Sequence, residues 1–231
     1  MATILITGAN RGIGLAITTL ALTRGDKVIA GCRNPASAAQ LSVLQKNYFE
    51  RCSIIELDVV DEQSLERAAS SLSESLDLLV CNAGVGSGYG GMLGEENTMA
   101  VFKKVLLTNT ASPFFTTRAF LPHLRKSSGL AKVAVISSLM GSQAHTAANA
   151  YAYRASKAGA NNIAVTLSRE LSSENIAVAT YHPGWVRTDM GGPNGLIDTK
   201  TSVTGLVSVI EGLDLPSSGS FFSYDGSVIP W

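Results

Sequence analysis

Seven short runs of aliphatic and β-branched residues, separated by longer stretches of helical spacing, constrain this chain of 231 residues more than any other feature. The runs are Thr3–Thr7, Lys27–Gly31, Ser53–Leu57, Leu76–Cys81, Lys132–Ser137, Ile176–Tyr181 and Gly219–Phe222. They are continuous rather than alternating in polarity, the pattern of strands covered on both faces. Between them the spacing predicts helices near Gly12–Arg24, Ala36–Lys46, Asp61–Ser73, Thr98–Lys126, Ala150–Ser172 and Lys200–Glu211. Strands that alternate with helices in this way build an α/β fold around a mostly parallel sheet. No Pro/Ser-rich linker, charge block or internal repeat interrupts the alternation, so residues 1–231 are expected to form one domain. The most loop-like stretch, Gly184–Thr199, follows a strand and precedes a helix, the profile of a mobile lid over the carboxyl edge of the sheet. An ordinary surface turn fits its composition equally well.

Composition narrows the function classes. Lys+Arg and Asp+Glu each total 18, so there is no net field to gather polyanions, and a nucleic-acid partner is not expected. Hydrophobic residues make up 45% and charged ones only 16%, which is a globular and not a disordered chain. Cys32, Cys52 and Cys81 have no Cys-x-x-Cys or Cys/His spacing, so no metal site is expected and the thiols read as reduced and buried. The first residues, MATILITGANRGIGLAI, run directly into strand and turn signals, and no stretch has the length of a membrane span. A cytoplasmic protein without membrane attachment is the expectation.

The first strand ends in Thr7-Gly8-Ala9-Asn10-Arg11-Gly12-Ile13-Gly14 and leads into a helix. Small residues let the backbone turn tightly there, and the free N–H groups of a helix start favour a diphosphate. The spacing Gly-x-x-x-Gly-x-Gly departs from the general dinucleotide fingerprint, and Gly-rich turns also arise for packing reasons. The second strand ends in Gly31-Cys32-Arg33-Asn34-Pro35, without the acid that an NAD site offers to ribose hydroxyls. Arg33, with Arg11 on the same side, suits a 2′-phosphate and points to NADP, although two solvated arginines would look the same. Asp58-Val59 and Asn82-Ala83-Gly84 close the third and fourth strands, where an open parallel sheet receives its ligand. Asp58 could equally cap the helix that begins near Asp61.

Tyr153 and Lys157 are spaced i, i+4 in a helix of small residues and share one face. An ammonium near a phenol favours the phenolate, so such a pair beside a cationic oxidised nicotinamide is a workable general acid/base. An exposed pair or a core Tyr has the same spacing. Ser137 and Ser138 follow the fifth strand at the same edge, and Asn109 lies within a helix, where it could hold a water or a backbone carbonyl.

Taken together, Thr7-Gly8-x-x-x-Gly12-Ile13-Gly14, Asp58-Val59, Asn82-Ala83-Gly84, Asn109, Ser138, Tyr153-x-x-x-Lys157 and Pro183-Gly184 resemble the short-chain dehydrogenase/reductase family. The final stretch, Phe221 to Trp231, is similar to the ending of its sniffer and C-factor type carbonyl reductases. The resemblance implies a doubly wound Rossmann fold, a seven-stranded parallel sheet with helices on both faces in three αβα layers. It further implies hydride transfer between NADP(H) and a carbonyl or alcohol carbon. Tyr153 would then donate the proton and Ser138 would hydrogen-bond the substrate oxygen. Lys157 would bind the nicotinamide ribose and lower the Tyr153 pKa, with Asn109 supporting a water relay. Gly8, Asn10, Arg11 and Ile13 would meet phosphates and ribose beside Gly12 and Gly14, and Arg33 the 2′-phosphate. Asp58 and Val59 would flank the adenine, while Asn82, Ala83 and Gly84 would pack on the cofactor. Pro183, Gly184, Val186 and Thr188 would reach the carboxamide end.

Two departures stand out: Cys81 replaces a second Asn before Asn82, and Ser138 and Tyr153 are 15 positions apart, a little longer than is usual. The intervening loop, with Gln143 and His145, is therefore a candidate wall of the substrate pocket, although a surface His145 is the plainer reading. The expected protein is an NADP-dependent reductase of a small or medium apolar aldehyde or ketone, associating as a dimer or tetramer. The alternative is a dinucleotide-binding signalling or regulatory protein with vestigial catalysis. A methyltransferase, which also has a Gly-rich first loop, leaves Tyr153, Lys157 and Arg33 unexplained.

Overall fold

In a computed structural model that describes residues 1–231, the strands are β1 (Thr3–Thr7), β2 (Lys27–Cys32), β3 (Cys52–Glu56), β4 (Leu78–Cys81), β5 (Ala131–Ile136), β6 (Ile176–His182) and β7 (Phe221–Ser223). They form one sheet in the order β3-β2-β1-β4-β5-β6-β7, with every neighbouring pair parallel. The connections are α1 (Gly12–Thr23), α2 (Ala39–Asn47), α3 (Glu62–Ser70), α4 (Met99–Leu106), α5 (Ser112–Leu124), α6 (Tyr151–Leu171) and α7 (Thr199–Glu211).

The continuous apolar runs have a direct cause. Successive strand residues point to opposite faces, and here both faces are covered. Ile4, Ile6, Val28, Ala30, Val80, Ala134, Ala177 and Ala179 pack with Ile17, Leu41, Val203 and Leu206 on one side. Leu5, Ile29, Leu79, Val133, Val135 and Val178 pack with Leu65, Phe120, Ala160 and Ala164 on the other. The result is a three-layer αβα sandwich, as the family resemblance implied. Strand order reverses between β1 and β4, and a doubly wound sheet opens its ligand crevice at that switch point, beyond the carboxyl ends of the strands.

The long helix expected over Thr98–Lys126 is not continuous. Leu107–Ala111 winds as a π-helical turn between α4 and α5, and the Ser112 N–H bonds to the Leu107 carbonyl five residues back. Pro113 gives the reason: it has no N–H for the Asn109 carbonyl four residues earlier, and its ring would collide with that carbonyl in a regular helix. The helix expected from Ala36 begins instead as a single turn of 3-10 helix, Pro35–Ser37, followed by α2 from Ala39. All three cysteines are free and buried. No helix is long and apolar enough to cross a membrane.

Candidate active site

The turn after β1 requires its glycines. Gly8 and Gly12 have φ of +64° and +55°, in the left-handed region that a side chain penalises. Gly14 is excluded from change by space: a Cβ there would lie 2.5 Å from the Asn82 Nδ2 and closer still to the Gly8 carbonyl oxygen. No side chain caps α1, whereas Asp61, Thr98 and Asp198 cap α3, α4 and α7. The first N–H groups of α1 are therefore open to an anion. Gly14→Ala should cost about 1–3 kcal/mol through overpacking. A fall of several degrees in Tm, read by thermal unfolding, is the expected result, and an unchanged Tm would show that the turn relaxes freely.

Thr7 and Asn82, one strand tip apart across the switch point, lock this turn to β4. The Thr7 hydroxyl accepts the N–H groups of Asn82 and Ala83, each at 3.0 Å. The Asn82 amide donates to the carbonyls of Thr7 at 2.9 Å and Gly8 at 3.2 Å. Asn82 thus braces the glycine turn from beneath, a bond set that spacing does not reveal. Arg33, just past β2, is exposed and has no ion-pair partner. Arg11, its proposed companion, faces Asp189 at 3.4 Å in an exposed pair. Asp58 does not cap α3. Its carboxylate accepts the Val60 N–H at 3.2 Å, and the cap is Asp61, whose carboxylate accepts from Gln63.

The π-helical turn places Asn109 inward, only 2% exposed. Its Oδ1 accepts the Val85 N–H and its Nδ2 donates to the Val85 carbonyl and the Ser156 hydroxyl, all at 2.9 Å. The side chain is thereby spent on holding the chain beyond Gly84, and its own main-chain carbonyl is the group that Pro113 leaves without a regular helical partner. Gly84 fits between this amide and the lysine: a Cβ on it would lie 3.4 Å from Asn109 Oδ1 and 3.7 Å from Lys157 Nζ.

Lys157 is 5% exposed, donates to the Ile136 carbonyl at 2.8 Å and has its Nζ 5.7 Å from the centre of the Tyr153 ring. Burial draws it down to about 8. The Tyr153 phenol is pushed up to about 12, chiefly by burial, with the Ser138 hydroxyl acting in the opposite direction and Tyr89 adding to the rise. The net direction of this phenol is therefore upward. Burial sets that direction, and the Lys157 ammonium is directed at a main-chain carbonyl and the ring. Ser138, at the end of β5, is 9% exposed and its hydroxyl accepts the Met140 N–H at 3.2 Å.

Three loops follow the carboxyl ends of β4, β5 and β6. Segment 184–199 is folded on itself: Val186 bridges Ile197, and the Trp185 indole donates to the Gly191 carbonyl at 2.8 Å. Gly184 has φ of +84° and packs against Ile197 and Tyr224, while Thr188 lies over Gly12. Trp185, Met190 and Leu196 are exposed along this segment. The loop from Val85 to Thr98 is a second wall that the spacing analysis did not anticipate. Its glycines wrap the Glu96 side chain, which accepts the Gly90 N–H, and a Cβ at Gly88 or Gly94 would come within 2.8 or 2.7 Å of it. Ser87 accepts the Tyr153 N–H at 3.2 Å, and the Gly90 carbonyl accepts that of Ala150 at 3.3 Å, so this loop is tied to the start of α6. Tyr89, Met92 and Leu93 project from it, exposed. The density of glycine in GVGSGYGG was the available signal. The third loop, Leu139–Asn149, carries His145, which is exposed. His182 keeps a buried Nδ1 without a partner, and burial holds its imidazole down to about 4, in the neutral form.

Comparison with known proteins bears on the family and the fold. A family model described as short chain dehydrogenase matches residues 2–196. The C-signal protein of Myxococcus xanthus is 42% identical over 157 residues, 68% of this chain and 93% of its own. Among solved structures, the carbonyl reductase Sniffer of D. melanogaster superposes with a TM-score of 0.94 at 32% identity, all of both chains being covered. The NADPH-bound carbonyl reductase from chicken fatty liver gives 0.91 at 32% identity, covering 100% of this chain and 99% of that one.

Proposed function

The chain belongs to the short chain dehydrogenase family of oxidoreductases, and we propose that within it this protein is an NADPH-dependent carbonyl reductase with Tyr153 as proton donor. The cluster of Ser138, Tyr153 and Lys157 at the carboxyl edge of the sheet, beside an uncapped helix start, is the observation that carries this reading.

The residues present fit a dinucleotide. Gly8 and Gly12 supply the left-handed turn, Gly14 the close approach, and the open N–H groups of α1 a place for its diphosphate. Arg11, Asn10 and Ile13 border that place, and Arg33 offers an unpaired cation to a 2′-phosphate. Asp58 and Val59 stand at the β3 end, Asn82, Ala83 and Gly84 at the β4 end, and Pro183, Gly184, Val186 and Thr188 beyond β6. When bound, the dinucleotide supplies the hydride for the carbonyl carbon. The chain's own part is to hold the substrate oxygen between the Ser138 and Tyr153 hydroxyls and to transfer the Tyr153 proton to it. Lys157, anchored on Ile136, carries a buried positive charge beside the phenol that stabilises the tyrosinate left behind. The Asn109 main-chain carbonyl, which Pro113 deprives of its regular helical donor, would receive a relaying water. Segment 184–199 serves as the lid, and its exposed Trp185, Met190 and Leu196, with the exposed Tyr89 of the loop after β4, favour apolar aldehydes and ketones.

Incubation with NADPH and a carbonyl panel, followed by absorbance, tests the reading: cofactor oxidation is expected with at least one apolar aldehyde or ketone. Binding of NADPH without oxidation on any substrate would favour a second reading, a dinucleotide-occupied signalling protein, which the 42% identity to C-signal motivates.

The phenol at about 12 also sets a pH dependence. The neutral form, needed for reduction, is present at all pH values below that. Alcohol oxidation needs the phenolate, whose fraction rises about tenfold per pH unit on the low side of its pKa. Oxidation turnover should therefore climb with a slope near one in log units between about pH 6 and 7.5, below the range near 8 in which Lys157 gives up the charge that stabilises the phenolate, and a flat profile there would remove Tyr153 from the proton step.

A further inference from the structure

The sequence carries two peculiarities that the catalytic cluster does not use: a Ser138–Tyr153 spacing of 15 residues and the ending Phe221–Trp231. In the structure they meet. After β7 the chain reverses through Gly226, with the Ser223 N–H on the Ser227 carbonyl at 2.8 Å and the Ile229 N–H on the Phe221 carbonyl at 2.7 Å. This hairpin delivers Pro230 and Trp231 to the loop Leu139–Asn149. The buried Ser142 hydroxyl, on a residue 2% exposed, donates to the Pro230 carbonyl at 2.6 Å, and the Ala144 N–H donates to the Trp231 main-chain oxygen at 3.2 Å. The Trp231 indole stacks on the buried Phe221 ring, with centroids 5.6 Å apart and planes 20° from parallel, which fixes where that oxygen sits.

The rest of the loop is held from α6. The Arg154 guanidinium donates to the His145 carbonyl at 3.0 Å and to the Asn149 side chain at 3.2 Å. Gly141 abuts α6, where a Cβ would lie 2.8 Å from the Lys157 backbone. The loop ends at Ala150, buried and left-handed with φ of 49°, a conformation that persists only where surrounding contacts over-determine it. Between Ser142 and Ala144 the polar contacts from outside the loop come from Pro230 and Trp231, beside the loop's own bonds from the Ser142 N–H to the Leu139 carbonyl and from the His145 N–H to the Ser142 carbonyl.

We propose that Pro230 and Trp231 form a clamp that positions the loop Leu139–Asn149, so that Trp231 is a specificity-determining positioning residue for the substrate side of Ser138. This rests on the carbonyl reductase reading for its substrate readout and on the contacts alone for the clamp itself. The longer Ser–Tyr spacing then has a purpose: the added loop reaches a hairpin beyond the last strand, and that hairpin, remote in sequence, selects which carbonyls fit.

Amide hydrogen exchange and steady-state kinetics on the full chain test it, with Trp231→Ala, Trp231→Phe and Ser142→Ala. Trp231→Ala and Ser142→Ala should each speed exchange in residues 139–149 by about tenfold and leave residues 12–23 within about twofold. KM for the bulkier accepted carbonyls should rise about fivefold or more while the NADPH Kd holds. Trp231→Phe keeps the ring stack and should restore both readouts. Unchanged exchange in 139–149 in both variants would overturn the clamp, as would equal loosening of residues 12–23. If Trp231→Ala unfolds, Ser142→Ala, which removes one hydroxyl, decides the matter. A wild-type chain that oxidises NADPH with no carbonyl would sink the functional reading, and the exchange measurement would still judge the clamp.

Discussion

Tyr153→Phe is expected to lower carbonyl turnover by about 10²–10⁴-fold, the range for losing a positioned general acid, or roughly 3–5 kcal/mol of transition-state stabilisation. The substitution removes one oxygen and keeps the ring that packs beside Lys157. NADPH binding should stay within about twofold, since the turn that would hold the diphosphate is built by Gly8, Gly12, Gly14 and Asn82 and lies on other elements. The measurement is kcat for any accepted carbonyl, paired with a fluorescence titration of NADPH. Turnover at the wild-type level would take Tyr153 out of the chemistry, and a parallel loss of cofactor binding would indicate a collapsed site.

Arg33→Asp should raise the NADPH Kd by about 100-fold, about 2.7 kcal/mol, while NADH changes by no more than about threefold. Arg33 stands exposed at the tip of β2 with no carboxylate opposite it, so its charge is unspent. An aspartate there would repel a 2′-phosphate and offer acceptors to ribose hydroxyls, which reverses the preference. Arg11 contributes on different terms. It already faces Asp189 at 3.4 Å and must exchange that partner for a phosphate. Because Arg33 is solvent-exposed, wild-type NADPH affinity should also fall with ionic strength. Equal weakening of both cofactors, measured by titration, would withdraw the phosphate assignment from Arg33.

Much of the fold was legible because both faces of each strand are buried. Runs such as Thr3–Thr7 and Ile176–Tyr181 had no polar face to obscure them, and their boundaries fall within a residue of β1 and β6. The glycine turn was legible for a related reason, since positive φ at Gly8 and Gly12 leaves few residue choices. The break between α4 and α5 was less so. Its signal, Pro113, was printed in the chain, but helical periodicity ran through it and the local rule lost to the pattern.

The site divides along the same line. Spacing alone put Tyr153 and Lys157 on one helix face and Ser138 at a strand end, because those relations are local. Protonation energetics were not local. The rise of Tyr153 to about 12 and the fall of Lys157 to about 8 come chiefly from burial under segments distant in sequence. The loop after Ser138 and segment 184–199 were legible as candidate walls, but what holds the loops was hidden: the tie of the Glu96-centred loop to α6 and the meeting of Pro230 and Trp231 with Ser142 and Ala144 join residues up to 88 positions apart. The sequence by itself determined the sheet, the glycine turn and which side chains are candidates for the chemistry, since periodicity, backbone sterics and helical spacing act over a few residues. Only the tertiary structure decided their solvation and which loops enclose them, because burial and long-range hydrogen bonds exist only once the chain has closed on itself.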